Sequence, residues 1–155
     1  MRRIICVGNR YRREDAAGPA VHDHLAACGG LPAGVELIDG GLGGLDLLRW
    51  VDGAARVVFV DSVSGMATAG AVITASRAEV ASLASPHADH AAGLPYLLRC
   101  LPQVCEGALP EVTLVGIEGE ADDAMVARAA ALALRLVSED RHGRAPAAAE
   151  VGESP

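Results

Sequence analysis

Arg56-Val57-Val58-Phe59-Val60 is the stretch on which the fold turns. After the arginine it is β-branched or aromatic throughout and shows no polar alternation. That is the pattern of a strand buried on both faces of a parallel sheet, because a strand with one wet face alternates. Outward from it, shorter apolar runs recur at residues 4–7, 35–38, 71–75 and 112–117. Helical spacing fills the gaps between them. Ala17, Ala20, Val21, His24 and Leu25 form a stripe over residues 16–27, stopped by Gly29-Gly30 and Pro32. Residues 45–51 read as a short amphipathic helix. Ser85-Pro86 pairs a capping residue with a first-turn proline and predicts a helix running to about Leu101, through Gly93 and Pro95. Met125, Ala129, Leu132 and Leu136 mark a last helix over residues 123–137.

Strands separated by helices, joined by right-handed crossovers, predict an α/β fold: a three-layer αβα sandwich with a mainly parallel sheet of about five strands. One domain covers residues 1–138. Beyond Ser138 the composition turns to Arg, Gly, Pro and Ala, which predicts a frayed tail over 139–155.

The core has to be built mostly from Ala, Val and Leu, since the chain holds one Trp, two Tyr and one Phe. A formal charge of −7 excludes the basic footprint that nucleic-acid binding needs. Cys6, Cys28, Cys100 and Cys105 form no C-x-x-C pair, so they read as reduced, buried or half-buried thiols rather than a zinc site. Met1-Arg2-Arg3 leads directly into a short strand and lacks the long apolar region of a secretory signal. No stretch has the length of a membrane span. The expectation is a cytoplasmic, monomeric protein with no nucleic-acid or membrane partner.

In an open α/β sheet, chemistry gathers beyond the carboxyl ends of the strands. There the sequence offers Asp15 after Gly8-Asn9, Asp39-Gly40-Gly41 after the second strand, Asp61-Ser62 after the third, and His87 and His90 ahead of a later helix. Taken singly, each has a plain structural role: Asp at a helix start or turn, His on a solvated helix face. Together, carboxylates and an imidazole suit a first-row metal such as Ni, Zn or Mn. No G-x-S-x-G elbow, G-x-G-x-x-G turn or P-loop lysine is present to support a serine hydrolase or a nucleotide binder.

Four ordered blocks carry a more specific likeness. They are Val7-Gly8-Asn9 with Glu14-Asp15-Ala16-Ala17-Gly18; Asp39-Gly40-Gly41-Leu42-Gly43-Gly44-Leu45-Asp46-Leu47-Leu48; Phe59-Val60-Asp61-Ser62-Val63; and His90-Ala91-Ala92-Gly93-Leu94 followed by Leu114-Val115-Gly116-Ile117. In this set the chain resembles the hydrogenase maturation proteases, nickel-dependent endopeptidases of the [NiFe]-hydrogenase pathway.

The resemblance implies that Asp15, Asp61 and His90 are both metal-binding and catalytic. It implies nickel supplied by the substrate precursor, with other divalent metals able to occupy the site. The implied partner is a [NiFe]-hydrogenase large-subunit precursor, from which a C-terminal extension is cut once the metal is loaded. Asp39, Gly40 and Gly41 are expected to contact the substrate chain. Arg10-Tyr11-Arg12-Arg13 departs from the less charged stretch usual before the acidic pair. His87 competes with His90, three residues away, but the short spacing to Gly93-Leu94 favours His90. The alternative function is a non-catalytic docking protein of the same fold.

Overall fold

A computed structural model describes residues 1–83 and 93–140. The chain runs β1 (Arg2–Cys6), α1 (Ala17–Cys28), β2 (Val35–Asp39), α2 (Leu48–Val51), β3 (Arg56–Val63), β4 (Val72–Ser76), α3 (Arg77–Ala81), α4 (Leu94–Val104), β5 (Glu111–Glu118) and α5 (Asp123–Ser138). Five strands form one sheet in the order β2-β1-β3-β5-β4. Neighbours are parallel except β4, which closes one edge antiparallel to β5.

The absence of alternation in β3 has its cause in two cores. Ile4, Cys6, Val58, Val60, Val115 and Ile117 pack with residues of α1 and α5. Ile5, Val7, Val57, Phe59, Val112 and Leu114 pack with residues of α2, α3 and α4. Successive side chains point to opposite faces, so each central strand must be apolar at every position. Scarcity of aromatics is met by close approach: Ala129 and Ala133 of α5 are fully buried, on the face that also holds α1.

Four expectations change in detail. β3 does not stop at Val60 but runs on to Val63, because β5 keeps pairing with it and sets Asp61 beside Gly116. Residues 45–51 split into a 3-10 turn (Leu45–Leu47) and the single turn of α2. The later helix starts at Leu94, not Ser85: Gly93 precedes it at φ +136°, a conformation no helix interior adopts, and Pro95 occupies the first turn, where a missing N–H costs nothing. Residues 84–92, including Ser85-Pro86, His87 and His90, lie outside the described residues. Helix α3 is too short to leave a period in the sequence; Ser76 caps it by accepting the Glu79 amide at 3.2 Å. Cys28, expected at least half-buried, is exposed at the end of α1. Among the described residues no helix is long and apolar enough to cross a membrane.

Candidate active site

Strand order reverses around β1: the connection through α1 leads to β2 on one side, and the later strands build out from β3 on the other. Beyond the carboxyl ends of β1 and β3 this leaves the crevice that α/β sheets use for ligands. The ladder between them ends with Cys6 opposite Val60, and the Val7 amide donates to the Val60 carbonyl at 2.8 Å. Past that bond the chains part. Asp61 lies one residue further along β3, paired only on its β5 side.

The loop after β1 turns back into this notch. Gly8 holds φ +145°, and a Cβ built on it would stand 2.2 Å from the Asp15 carbonyl oxygen. A Cβ at Gly18, in the first turn of α1, would stand 1.9 Å from the Val7 carbonyl oxygen and 2.9 Å from that of Val60. Both glycines therefore allow the Asp15 turn and the start of α1 to press against the strand ends. Asp15 closes the 3-10 turn Arg13–Asp15, and its Oδ2 accepts the Asn9 amide at 3.0 Å.

Asp15 and Asp61 meet electrostatically. Burial, and then the nearby Asp15 charge, push the Asp61 carboxyl from its ordinary 3.8 up to about 8, against a smaller opposing effect from the Ser62 amide. Next to it the Ser62 hydroxyl is buried without a hydrogen-bond partner among the described residues.

Asp39, by contrast, is already engaged. Its Oδ1 accepts the Gly41 amide at 3.1 Å, and Arg10 reaches its Oδ2 at 3.2 Å while also holding Asp23 at 3.3 Å. The Gly8 amide donates to the Gly41 carbonyl, and the Gly40 amide to that of Cys6, each at 2.7 Å. These bonds tie the β1 and β2 loops together, and an open cleft of about 410 Å³ lies along Gly8–Tyr11, Asp39, Gly41 and Leu42. Beneath it the Cys6 thiol is pushed up to about 12 by burial and by Asp39 and Asp23, so it is no nucleophile.

The structure thus brings Asp15 and Asp61 together, and sets Asp39, Gly40 and Gly41 in an adjoining loop whose carboxylate faces Arg10. Among the described residues no three His, Cys, Asp or Glu side chains form a metal-holding group. Two carboxylates are present, and His90 falls within 84–92. The sequence reading overlooked Glu118. It is buried at the end of β5, its Oε1 accepting the Met66 and Ala67 amides at 3.1 and 3.4 Å, so it holds the chain that leaves β3. A charge ending the apolar run of β5 was its only signal.

Residues 19–132 match the profile of the HycI family, hydrogenase maturation protease. The chain belongs to that family. Among solved structures, the hydrogenase maturating endopeptidase HybD from E. coli superposes with a TM-score of 0.73 at 25% identity, covering 88% of this chain and 91% of its own. An endopeptidase from Escherichia coli gives 0.72 at 28% identity, covering 89% and 94%. The [NiFe] hydrogenase maturation protease HycI from Thermococcus kodakarensis KOD1, at 22% identity and a TM-score of 0.62, covers 87% and 88% and shares the fold. No curated protein sequence gives a significant match. The αβα sandwich is thus the scaffold of a hydrogenase maturation protease.

Proposed function

We propose that this hydrogenase maturation protease removes the C-terminal extension of a [NiFe]-hydrogenase large-subunit precursor after nickel has been loaded, with Asp15, Asp61 and His90 engaging the precursor's metal. The observation that carries the reading is the pair of carboxylates at the β1–β3 crevice, close enough for the charge of Asp15 to be felt at Asp61. Such a pair fits a divalent cation. Burial and the Asp15 charge both raise the proton affinity of Asp61, and a positive ion between the two carboxylates offsets both effects. Nickel carried by the precursor supplies a Lewis acid beside the scissile peptide.

The chain's own residues do the remaining work. Asn9 fixes one oxygen of Asp15 through its amide and leaves the other to the ligand. With the metal in place Asp61 is ionised, and it serves as the base that takes a proton from water and returns it to the departing amine. The Gly41 backbone borders the adjoining cleft and receives the extended substrate chain there, with Gly40 anchoring the loop to Cys6. Asp39, engaged by Arg10 and Gly41, shapes that loop rather than the reacting water.

Intact-mass analysis of the precursor, nickel-loaded and nickel-free, after incubation with the protein tests this reading. Loss of a short C-terminal peptide from the loaded form alone is the expected result. Tight binding without cleavage of either form would replace it with the docking function.

A further inference from the structure

We infer that a second, smaller pocket beside Asp61 receives a single apolar side chain of the precursor, one of the two residues that flank the scissile bond. This rests on the peptidase reading above. The pocket holds about 190 Å³ and has Asp61 at one end. Its walls are Met66, Val80 of α3, Leu83, Leu94 at the start of α4 and Leu114 of β5. Leu114 pairs with Phe59 and Gly116 with Asp61, so the floor of the pocket lies one pleat below the candidate catalytic carboxylate.

Size and chemistry select the occupant. Sites for whole small molecules begin at roughly 300 Å³, whereas an apolar cavity of about 150 Å³ takes one benzene ring. A volume of about 190 Å³ therefore suits one side chain of Leu, Met or Phe size. Among the described residues Asp61 is the sole ionisable group in the lining. An acidic side chain would meet that carboxyl, and a polar one would lose its water against Val80, Leu94 and Leu114. The wall from Met66 belongs to the segment that Glu118 holds, so that side of the pocket is tied to the end of β5.

The test is a cleavage series with the unaltered protein and nickel-loaded precursors. Each residue flanking the cut is changed in turn to Ala, Leu, Phe and Glu. At one of the two positions, kcat/KM for Leu should exceed that for Ala by about tenfold or more, the discrimination apolar pockets give for a few methylenes, and Glu should fall below Ala. Met66→Trp, which fills the pocket, should slow the Leu precursor about tenfold while sparing the Ala precursor. Met66→Ala should move the preference toward Phe. Flat profiles at both positions, or Met66 variants that slow all precursors alike, would overturn the pocket assignment while leaving the peptidase intact. If the unaltered protein cuts no loaded precursor, the peptidase reading falls and takes the pocket with it.

Discussion

Asp15 and Asp61 come from different segments, a turn before α1 and the middle of β3, yet the charge of one raises the proton affinity of the other. The juxtaposition exists because β1 stops one residue short of Asp61's level, while Gly8 and Gly18 let the next turn fold into the space left open. A carboxyl that holds its proton near neutral pH in the metal-free protein is the consequence.

Asp61→Asn should stabilise the metal-free protein in a pH-dependent way. Below 3.8 the carboxyl is protonated in both folded and unfolded chains. Between 3.8 and about 8 the folded state keeps a proton that the unfolded state gives up, so wild-type stability falls as pH rises; above about 8 the full penalty is present. Thermal melts in chelator should show the variant several degrees above wild type at pH 9 and little different at pH 4. A constant gap across pH would count against the raised Asp61 pKa. Asp15→Asn should flatten the wild-type pH dependence only in part, since burial is the larger cause.

Processing should separate the candidate ligands. Asp15→Asn, Asp61→Asn and His90→Gln are each expected to abolish precursor cleavage with circular dichroism unchanged. His87→Gln should do much less. An essential His87 with a dispensable His90 would reassign the imidazole.

Gly8→Ala tests the packing that sets Asp15. The new Cβ meets the Asp15 carbonyl, and the φ of +145° is itself unfavourable by about 1–3 kcal/mol for a side-chain-bearing residue. A lower melting temperature is expected, with cleavage reduced by about 100-fold through misplacement of the carboxylate. Cleavage at the wild-type rate would show that the Asp15 turn need not sit where Gly8 puts it.

The thiols should differ sharply in reactivity. Exposed Cys28 should alkylate first at pH 8, while Cys6, buried and held protonated, should resist until the protein unfolds. Peptide mapping after timed iodoacetamide treatment measures the order, and early labelling of Cys6 would contradict its burial.

Asp122→Ala serves as a stability control at a residue with no assigned part in cleavage. Asp122 Oδ1 accepts the Met125 amide at 2.8 Å and caps α5. Its loss should cost about 1 kcal/mol and roughly 3 °C in melting temperature. Cleavage by the folded variant should be unchanged.

Much of the fold was legible from residue pattern, for particular reasons. The run at residues 56–60 is apolar throughout because both faces of β3 are covered, and the strands at 4–7, 35–38 and 112–117 are similarly local signals. Helix α3 was not legible, since five residues show no period. Gly93 and Pro95 did signal that the helix over Leu97 and Leu98 starts late, but the attractive Ser85-Pro86 cap outweighed them. At the site, Asp15, Asp61 and the Asp39-Gly40-Gly41 loop were found because strand ends are where α/β sheets place function. Arg10 stood out as a departure, yet nothing local revealed that it bridges Asp23 and Asp39.

The sequence by itself determined the class of fold, the reactive groups available and the family likeness, since each is written in short-range patterns of polarity and residue type. Only the tertiary structure decided that Asp61 sits inside a strand and not at its end, that the charge of Asp15 is felt there, that Asp39 is taken up by Arg10, and that an apolar pocket opens next to Asp61. These depend on strand register, on where one ladder stops short of the next, and on how closely a glycine lets a loop approach. Such relations join residues far apart in the chain, and no local period encodes them.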